Sequence, residues 1–162
     1  MKLAHKLLEL AAGEVGVEEI DGTNCGPRVN EYKAATNLPP AESWPWCAAF
    51  ICWLLREAMK ACGGPYTFQR PVTAGAWDLE NWSRGQDLST QTKKPAGGDI
   101  QPGDIVCFTF SHVGLAVSAP DADGYVRTIE GNTDAAGSRE GGGVFRKTRH
   151  VSKIRSRIRL TV

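Results

Sequence analysis

The chain has 162 residues, of which 41% are hydrophobic and 23% are charged, and its formal net charge is +1. These values are ordinary for a globular protein, so we expect residues 1–162 to form a single domain with its own core. A net charge so close to zero gives no electrostatic reason to expect a nucleic-acid partner. No apolar run approaches the roughly 18 residues that a membrane-spanning helix needs, so we expect no membrane span.

The N-terminal segment superficially resembles a signal peptide, because a basic start at Lys2 is followed by leucines. Glu9 and Glu14 interrupt the apolar run, and the leucines recur at helical spacing. This pattern favours an amphipathic helix of the mature fold that ends near Gly13. We therefore expect a protein made in the cytoplasm without a signal peptide.

Three further helices are predicted in the first half of the chain. Pro27 suits the first turn of the second helix, because proline lacks an N–H that this turn would leave unpaired. The third helix is expected from about Trp46 to Ala61, after Pro45 and before Gly63. A shorter fourth helix is expected over about residues 74–82.

The second half of the chain predicts strands separated by tight turns. Turns are expected at Pro102-Gly103-Asp104 and at Asp121-Ala122-Asp123-Gly124, where the residue types favour reversal of the chain. Helices followed by strands indicate an α+β fold, with N-terminal helices packed on a C-terminal antiparallel sheet. About five strands are expected, over residues 105–110, 112–117, 125–130, 143–150 and 153–162.

The last of these strands is unusually basic. Arg155, Arg157 and Arg159 alternate with other residues, so their side chains are expected on one face. One interpretation is a solvated edge strand whose charges prevent aggregation. The alternative is a surface that attracts anionic polymers, an attraction that salt would weaken.

The five cysteines do not predict a disulfide framework, because their number is odd and no signal peptide is expected. Without a Cys-x-x-Cys pair, and with three histidines in all, a structural zinc site is not expected either. Cys52 and Cys107 lie in apolar runs and are expected to be buried. Cys47 differs, because it begins the third helix, where the helix dipole and unpaired N–H groups favour a thiolate.

A thiolate nucleophile needs a base and a group that orients the base. His112 opens a strand and is the best-placed base among the histidines. Glu130 and Asn132 end the next strand, and antiparallel pairing is expected to bring Glu130 close to His112. A carboxylate there would fix the tautomer of the imidazole and stabilise the imidazolium. Each of these features alone is common in proteins without catalytic activity. The hypothesis of a catalytic site rests on their order along the chain.

This order of motifs resembles the CHAP family of cysteine, histidine-dependent amidohydrolases/peptidases. The resemblance implies a papain-like fold and a peptidoglycan hydrolase of the kind found in bacteriophage endolysins and bacterial wall enzymes. It implies Cys47 as the nucleophile, His112 as the base and Glu130 as the residue that orients it. Asn132 would assist in orientation or at the oxyanion. The motifs are Trp46-Cys47-Ala48-Ala49-Phe50, Pro102-Gly103-Asp104-Ile105-Val106, His112-Val113-Gly114 and Glu130-Gly131-Asn132.

Substrate-binding residues are expected among the tryptophans. Trp44 and Trp46 flank the nucleophile in sequence, and Trp77 lies in the predicted fourth helix. Some CHAP proteins carry a calcium loop before the cysteine, but residues 18–25 of this chain lack the alternating aspartates that such a loop needs. We therefore expect no metal and no cofactor.

The resemblance predicts hydrolysis of an amide bond in the peptide stem or cross-bridge of peptidoglycan, through a thioester intermediate. The expected protein is a monomeric phage or prophage endolysin that acts on the bacterial cell wall. One alternative is a secreted antibacterial amidase effector with a cognate immunity protein. A second is a catalytically inactive wall-binding or phage-structural module, and a third is a protease that acts on proteins.

Overall fold

The computed structural model describes residues 2–86, 88–91, 99–133 and 142–160. The α-helices within these ranges are α1 (Lys2–Glu14), α2 (Pro27–Lys33), α3 (Cys47–Cys62) and α4 (Asp78–Gly85). The strands are β1 (Ser89–Gln91), β2 (Ile105–Phe108), β3 (Val113–Ala116), β4 (Tyr125–Thr133), β5 (Gly143–His150) and β6 (Ile154–Arg159). No helix in the described ranges is long and apolar enough to cross a membrane.

The strands form one sheet in the order β1-β6-β2-β3-β4-β5, and every neighbouring pair is antiparallel. The predicted α+β fold with an antiparallel sheet is therefore confirmed. The sheet has six strands in the described residues rather than the expected five. The additional strand is β1, whose Ser-Thr-Gln sequence is polar throughout and so carries no apolar alternation.

Helix α3 lies at the centre of the molecule. It packs on the sheet face that carries Ile105, Leu115 and Ile129, in one hydrophobic cluster with α1 and α2. Strand β4 approaches α3 closely at Gly131, where an added Cβ would lie 2.9 Å from Cβ of Phe50. A side chain at that position would push the strand away from the first turn of α3.

The basic strand β6 is not at an edge, because it pairs with β1 on one side and β2 on the other. The prediction of a solvated edge strand is therefore wrong. Its arginines bind carboxylates and are not available as a free cationic face: Arg155 pairs with Glu80, Arg157 with Asp99, and Arg159 with Asp99 and Asp104.

Helix α4 begins at Asp78, later than the sequence suggested, because the preceding segment, residues 74–77, docks on β2 instead of continuing the helix. The thiol of Cys107 donates to the carbonyl of Ala76 across 3.6 Å, and the indole N–H of Trp77 donates to the carbonyl of Phe108 across 3.0 Å. These contacts fix residues 74–77 beside the N-terminus of α3.

The Pro102-Gly103-Asp104 turn leads into β2 as predicted. Gly103 has a φ of 94°, in the left-handed region that glycine tolerates, and the N–H of Asp104 donates to the carbonyl of Gln101. The buried carboxylate of Asp104 accepts hydrogen bonds from Arg159. This pair ties the start of β2 to the end of β6.

Candidate active site

Cys47 is the first residue of α3 and lies at a groove of about 350 Å³. The residue is 5% exposed and lines this groove. The first-turn N–H groups of a helix have no partner within it and carry its positive dipole end, which favours negative charge at Cys47. The groove is lined by Leu38, Trp44, Pro45, Cys47, Ala74, Gly75, Ala76 and Ser111.

His112 directly precedes β3 and is fully buried. Its Nε2 lies 2.9 Å from Oε1 of Glu130, as the antiparallel pairing of β3 and β4 predicts. The imidazole lies nearly parallel to the rings of Phe108 and Phe110, with centroids 5.6 and 5.7 Å away. Its Nδ1 is buried and has no hydrogen-bond partner among the described residues.

The charge state of His112 follows from its neighbours. Burial alone lowers the pKa of the imidazole, but interactions with Cys47 and Glu130 outweigh burial and raise it to about 9. Because Glu130 occupies Nε2, Nδ1 is the nitrogen left to exchange a proton with the Cys47 thiol. The arrangement therefore favours an imidazolium next to Cys47 at neutral pH.

Glu130 is also fully buried, yet it is held as a carboxylate. Burial acts to raise its pKa, but hydrogen bonds from Arg149 and His112 prevail and lower it to about 2. The hydroxyl of Thr128 donates to Oε2 as well. Gly114 makes room for this side chain, because a Cβ there would lie 2.6 Å from Cγ of Glu130.

Asn132 contacts the start of α3. Its Oδ1 accepts the backbone N–H of Trp46 across 2.6 Å, and its Nδ2 donates to Oδ1 of Asn24 across 3.4 Å. Its φ of 57° lies in the left-handed region, where asparagine is among the better-tolerated residues. These contacts tie the end of β4 to the residue that precedes Cys47.

A family model of the CHAP domain matches residues 39–132, which is more than half of the chain. The chain belongs to the CHAP-domain family. The match spans Cys47, His112, Glu130 and Asn132, so the resemblance seen in the sequence is confirmed.

The fold of this CHAP domain is similar to the crystal structure of the wild-type endolysin LysIME-EF1. The TM-score is 0.52 at 17% sequence identity, and the match covers 99% of this chain. It covers 65% of the endolysin chain, so this CHAP domain spans about two thirds of that protein. At this identity the likeness concerns the fold. No curated protein gives a significant sequence match.

The three tryptophans expected to bind substrate occupy different environments in the CHAP domain. Trp44 lines the groove beside Cys47. Trp46 is fully buried, so the expectation that its ring forms a wall of the cleft is wrong; it stacks on Tyr32 and donates from Nε1 to Glu19. Trp77 is 36% exposed and lies under the guanidinium of Arg155, while its neighbour Ala76 lines the groove.

The site contains a residue that sequence reasoning missed. Arg149 binds Glu130 from β5, through Nε and Nη2. The β4–β5 register places Arg149 opposite Val126 and therefore on the same face as Glu130, and no local motif around Arg149 indicates this pairing.

The remaining cysteines lie outside the site of the CHAP domain, and all five cysteines are free thiols. Cys52 and Cys107 are fully buried, as predicted, and burial raises the pKa of each thiol to about 12. The described residues hold no cluster of three or more His, Cys, Asp or Glu side chains suited to a metal ion.

Proposed function

We propose that this CHAP domain is a peptidoglycan hydrolase that cleaves an amide bond with Cys47 as its nucleophile. The observation that carries the proposal is the alignment of Cys47, His112 and Glu130, in which the Nδ1 of His112 remains without a partner. Membership of the CHAP family and the fold shared with an endolysin support peptidoglycan as the substrate.

In the proposed resting state the Cys47 proton already lies on Nδ1 of His112, so the site holds a thiolate next to an imidazolium. The thiolate attacks the amide carbonyl, and first-turn N–H groups of α3, including that of Cys47, stabilise the oxyanion. The imidazolium then protonates the leaving amine, and the C–N bond breaks to leave a thioester on Cys47. Water, deprotonated by His112, hydrolyses the thioester and regenerates the thiol.

Glu130 has two roles in this scheme. Its carboxylate accepts from Nε2, so a neutral His112 carries its proton there and presents an unprotonated Nδ1 to the thiol. After proton transfer, the same carboxylate stabilises the imidazolium. Asn132 would act less directly, by holding the backbone of Trp46 and with it the first turn of α3.

The groove favours small, uncharged groups next to the scissile bond. Ala74, Gly75 and Ala76 line it together with Trp44, and none of its eight lining residues is Asp, Glu, Lys, Arg or His. Alanine residues of a peptide stem fit such a groove. Binding of the substrate therefore depends on shape and backbone hydrogen bonds more than on ion pairs.

Purified bacterial sacculi provide the test. We expect the wild-type chain, acting as a monomeric endolysin, to lower the turbidity of a sacculus suspension, and Cys47→Ala to abolish this activity. Cys62→Ala is the matched control and should clear the suspension at the wild-type rate, because Cys62 lies at the other end of α3. Mass spectrometry of the released fragments would identify the bond that is cut.

Two results would contradict the proposal. One is clearance by Cys47→Ala at the wild-type rate, which would exclude Cys47 as the nucleophile. The other is a folded wild-type chain that binds sacculi and releases no fragment, which would favour the inactive wall-binding module. Loss of clearance in Cys47→Ala with an unchanged circular dichroism spectrum supports the hydrolase.

A further inference from the structure

Arg149 makes a two-point contact with the carboxylate of Glu130. Its Nε donates to Oε2 across 2.9 Å, and its Nη2 donates to Oε1, the same oxygen that Nε2 of His112 contacts. The side chain of Arg149 is 13% exposed and that of Glu130 is fully buried. A paired, planar contact of this kind fixes the orientation of the carboxylate as well as its charge.

The guanidinium is itself held in place by two aromatic rings. Cζ of Arg149 lies 5.0 Å from the ring centroid of Phe108 and 5.3 Å from that of Phe110. The same two rings lie nearly parallel to the imidazole of His112. The arginine, the carboxylate and the imidazole therefore form one packed unit with the two phenylalanine rings.

The charges of this unit explain why a cation is needed. Cys47 from α3 and Glu130 from β4 interact with His112 directly, and Arg149 from β5 binds Glu130. Cys107 of β2 lies near Cys47, but burial keeps it a neutral thiol. A thiolate, an imidazolium and a carboxylate together carry one uncompensated negative charge, and burial makes such a charge costly. Arg149 brings the sum to zero.

We propose that Arg149 is a positioning residue of the CHAP site: it orients Glu130 toward His112 and supplies the positive charge that balances the buried Cys47–His112–Glu130 cluster. The balance sets the pH range over which His112 gains and loses its proton. The role in catalysis rests on the proposed function, whereas the effect on His112 does not.

The test is the titration of His112, followed by NMR through its ring protons in the intact chain. The chain has three histidines, and the signal that disappears in His112→Gln identifies the residue. In Arg149→Met the loss of a nearby positive charge should move the midpoint of the titration upward by about one pH unit. In Arg149→Lys the charge remains, so the midpoint should stay close to that of the wild type.

A second neutral variant and a control complete the design. Arg149→Gln keeps an amide that can donate to Glu130, so it tests the same loss of charge if Arg149→Met does not fold. Arg146→Met removes an exposed arginine from the same strand and should leave the His112 titration unchanged. The pH profile of Cys47 alkylation by iodoacetamide should shift upward with the titration in both neutral variants.

The outcomes separate this proposal from the proposed function. An unshifted His112 midpoint in folded Arg149→Met or Arg149→Gln would overturn the role of Arg149, even if the chain hydrolyses peptidoglycan. An equal shift in Arg146→Met would also overturn it, because the effect would then be a general one of charge on β5. A shift confined to the neutral Arg149 variants supports the proposal, even if sacculi prove not to be the substrate.

Discussion

Helix α3 carries two buried cysteines, and the surroundings of their sulfur atoms differ. Cys47 begins the helix, lies at a groove and interacts with His112. Cys52 lies about one and a half helical turns further along α3. It has no exposed surface, and its thiol donates a hydrogen bond to the carbonyl of Thr73 across 3.3 Å. Burial raises the pKa of Cys52 to about 12, so it remains a neutral thiol at any physiological pH.

The difference lies in what surrounds each sulfur. A helix end offers unpaired N–H groups, whereas the helix interior has already used its N–H groups in the backbone ladder. The segment that leads into β3 adds a partner for Cys47, because His112 directly precedes this strand and interacts with the first residue of α3. We therefore expect the reactivity of a cysteine on α3 to depend on its position in the fold, with Cys47 as the reactive thiol.

The largest effect is expected from removing the partner that distinguishes Cys47. His112→Ala should lower the rate of sacculus hydrolysis by about 10²–10⁴-fold, because general acid–base catalysis is lost. Alkylation of Cys47 by iodoacetamide at neutral pH should fall at the same time toward the rate of the half-exposed Cys25 and Cys62. A turbidity assay measures the rate of hydrolysis, and labelling followed by peptide mapping measures alkylation at each cysteine. Unchanged, selective labelling of Cys47 in His112→Ala would show that the helix end alone activates the thiol.

A smaller loss is expected when the orienting carboxylate is displaced. Gly114→Ala would place a Cβ 2.6 Å from Cγ of Glu130, so the carboxylate must move away from His112. A shift of about 1 Å in such a group can cost about 10²-fold in rate. Gly85→Ala is the matched control, since no atom outside its own helix lies within 4 Å of the new Cβ. Equal hydrolysis rates for the two variants would argue against a role for Glu130 geometry.

The sequence was sufficient to predict the helix that begins at Cys47 and the strands that position His112 and Glu130. The position of Cys47 at the start of a long apolar helix, and of His112 and Glu130 on consecutive strands, follows from hydrophobic spacing and turn residues. Antiparallel pairing of neighbouring strands then brings His112 and Glu130 together without knowledge of any other contact.

Features that depend on pairing between distant parts of the chain could not be predicted from the sequence. Strand β6 lies between β1 and β2 and is therefore not the edge strand that the sequence suggested. The ion pair of Arg157 with Asp99 joins distant parts of the chain, so the residues next to Arg157 do not predict it. Trp46 is buried and stacks against Tyr32 of the preceding helix α2, a contact that hydrophobic spacing does not indicate. The contact of Arg149 with Glu130 requires the β4–β5 register, which spacing alone leaves open.

The charge state of His112 should also appear in the pH dependence of stability. Folding raises its pKa from 6.5 to about 9, so the folded state binds the proton more tightly than the unfolded state. The stabilisation is complete below the unfolded value and is lost as the pH rises through about 9. Urea denaturation of wild type and His112→Gln should therefore show a difference in unfolding free energy that shrinks over this range. A constant difference would mean that His112 is not protonated next to Cys47.

The smallest effect is expected at the second cysteine of α3. Cys52→Ala removes one buried sulfur and its hydrogen bond to Thr73, so it should lower the unfolding free energy by about 1 kcal/mol and leave sacculus hydrolysis near the wild-type rate. Denaturation and turbidity assays on the same preparation measure the two quantities. Because Cys52 lies on the same helix as Cys47, this variant tests whether the reactive position is the helix end. Loss of hydrolysis without loss of stability in Cys52→Ala would mean that the thiol inside the helix takes part in the chemistry, and the contrast between the two cysteines would fail.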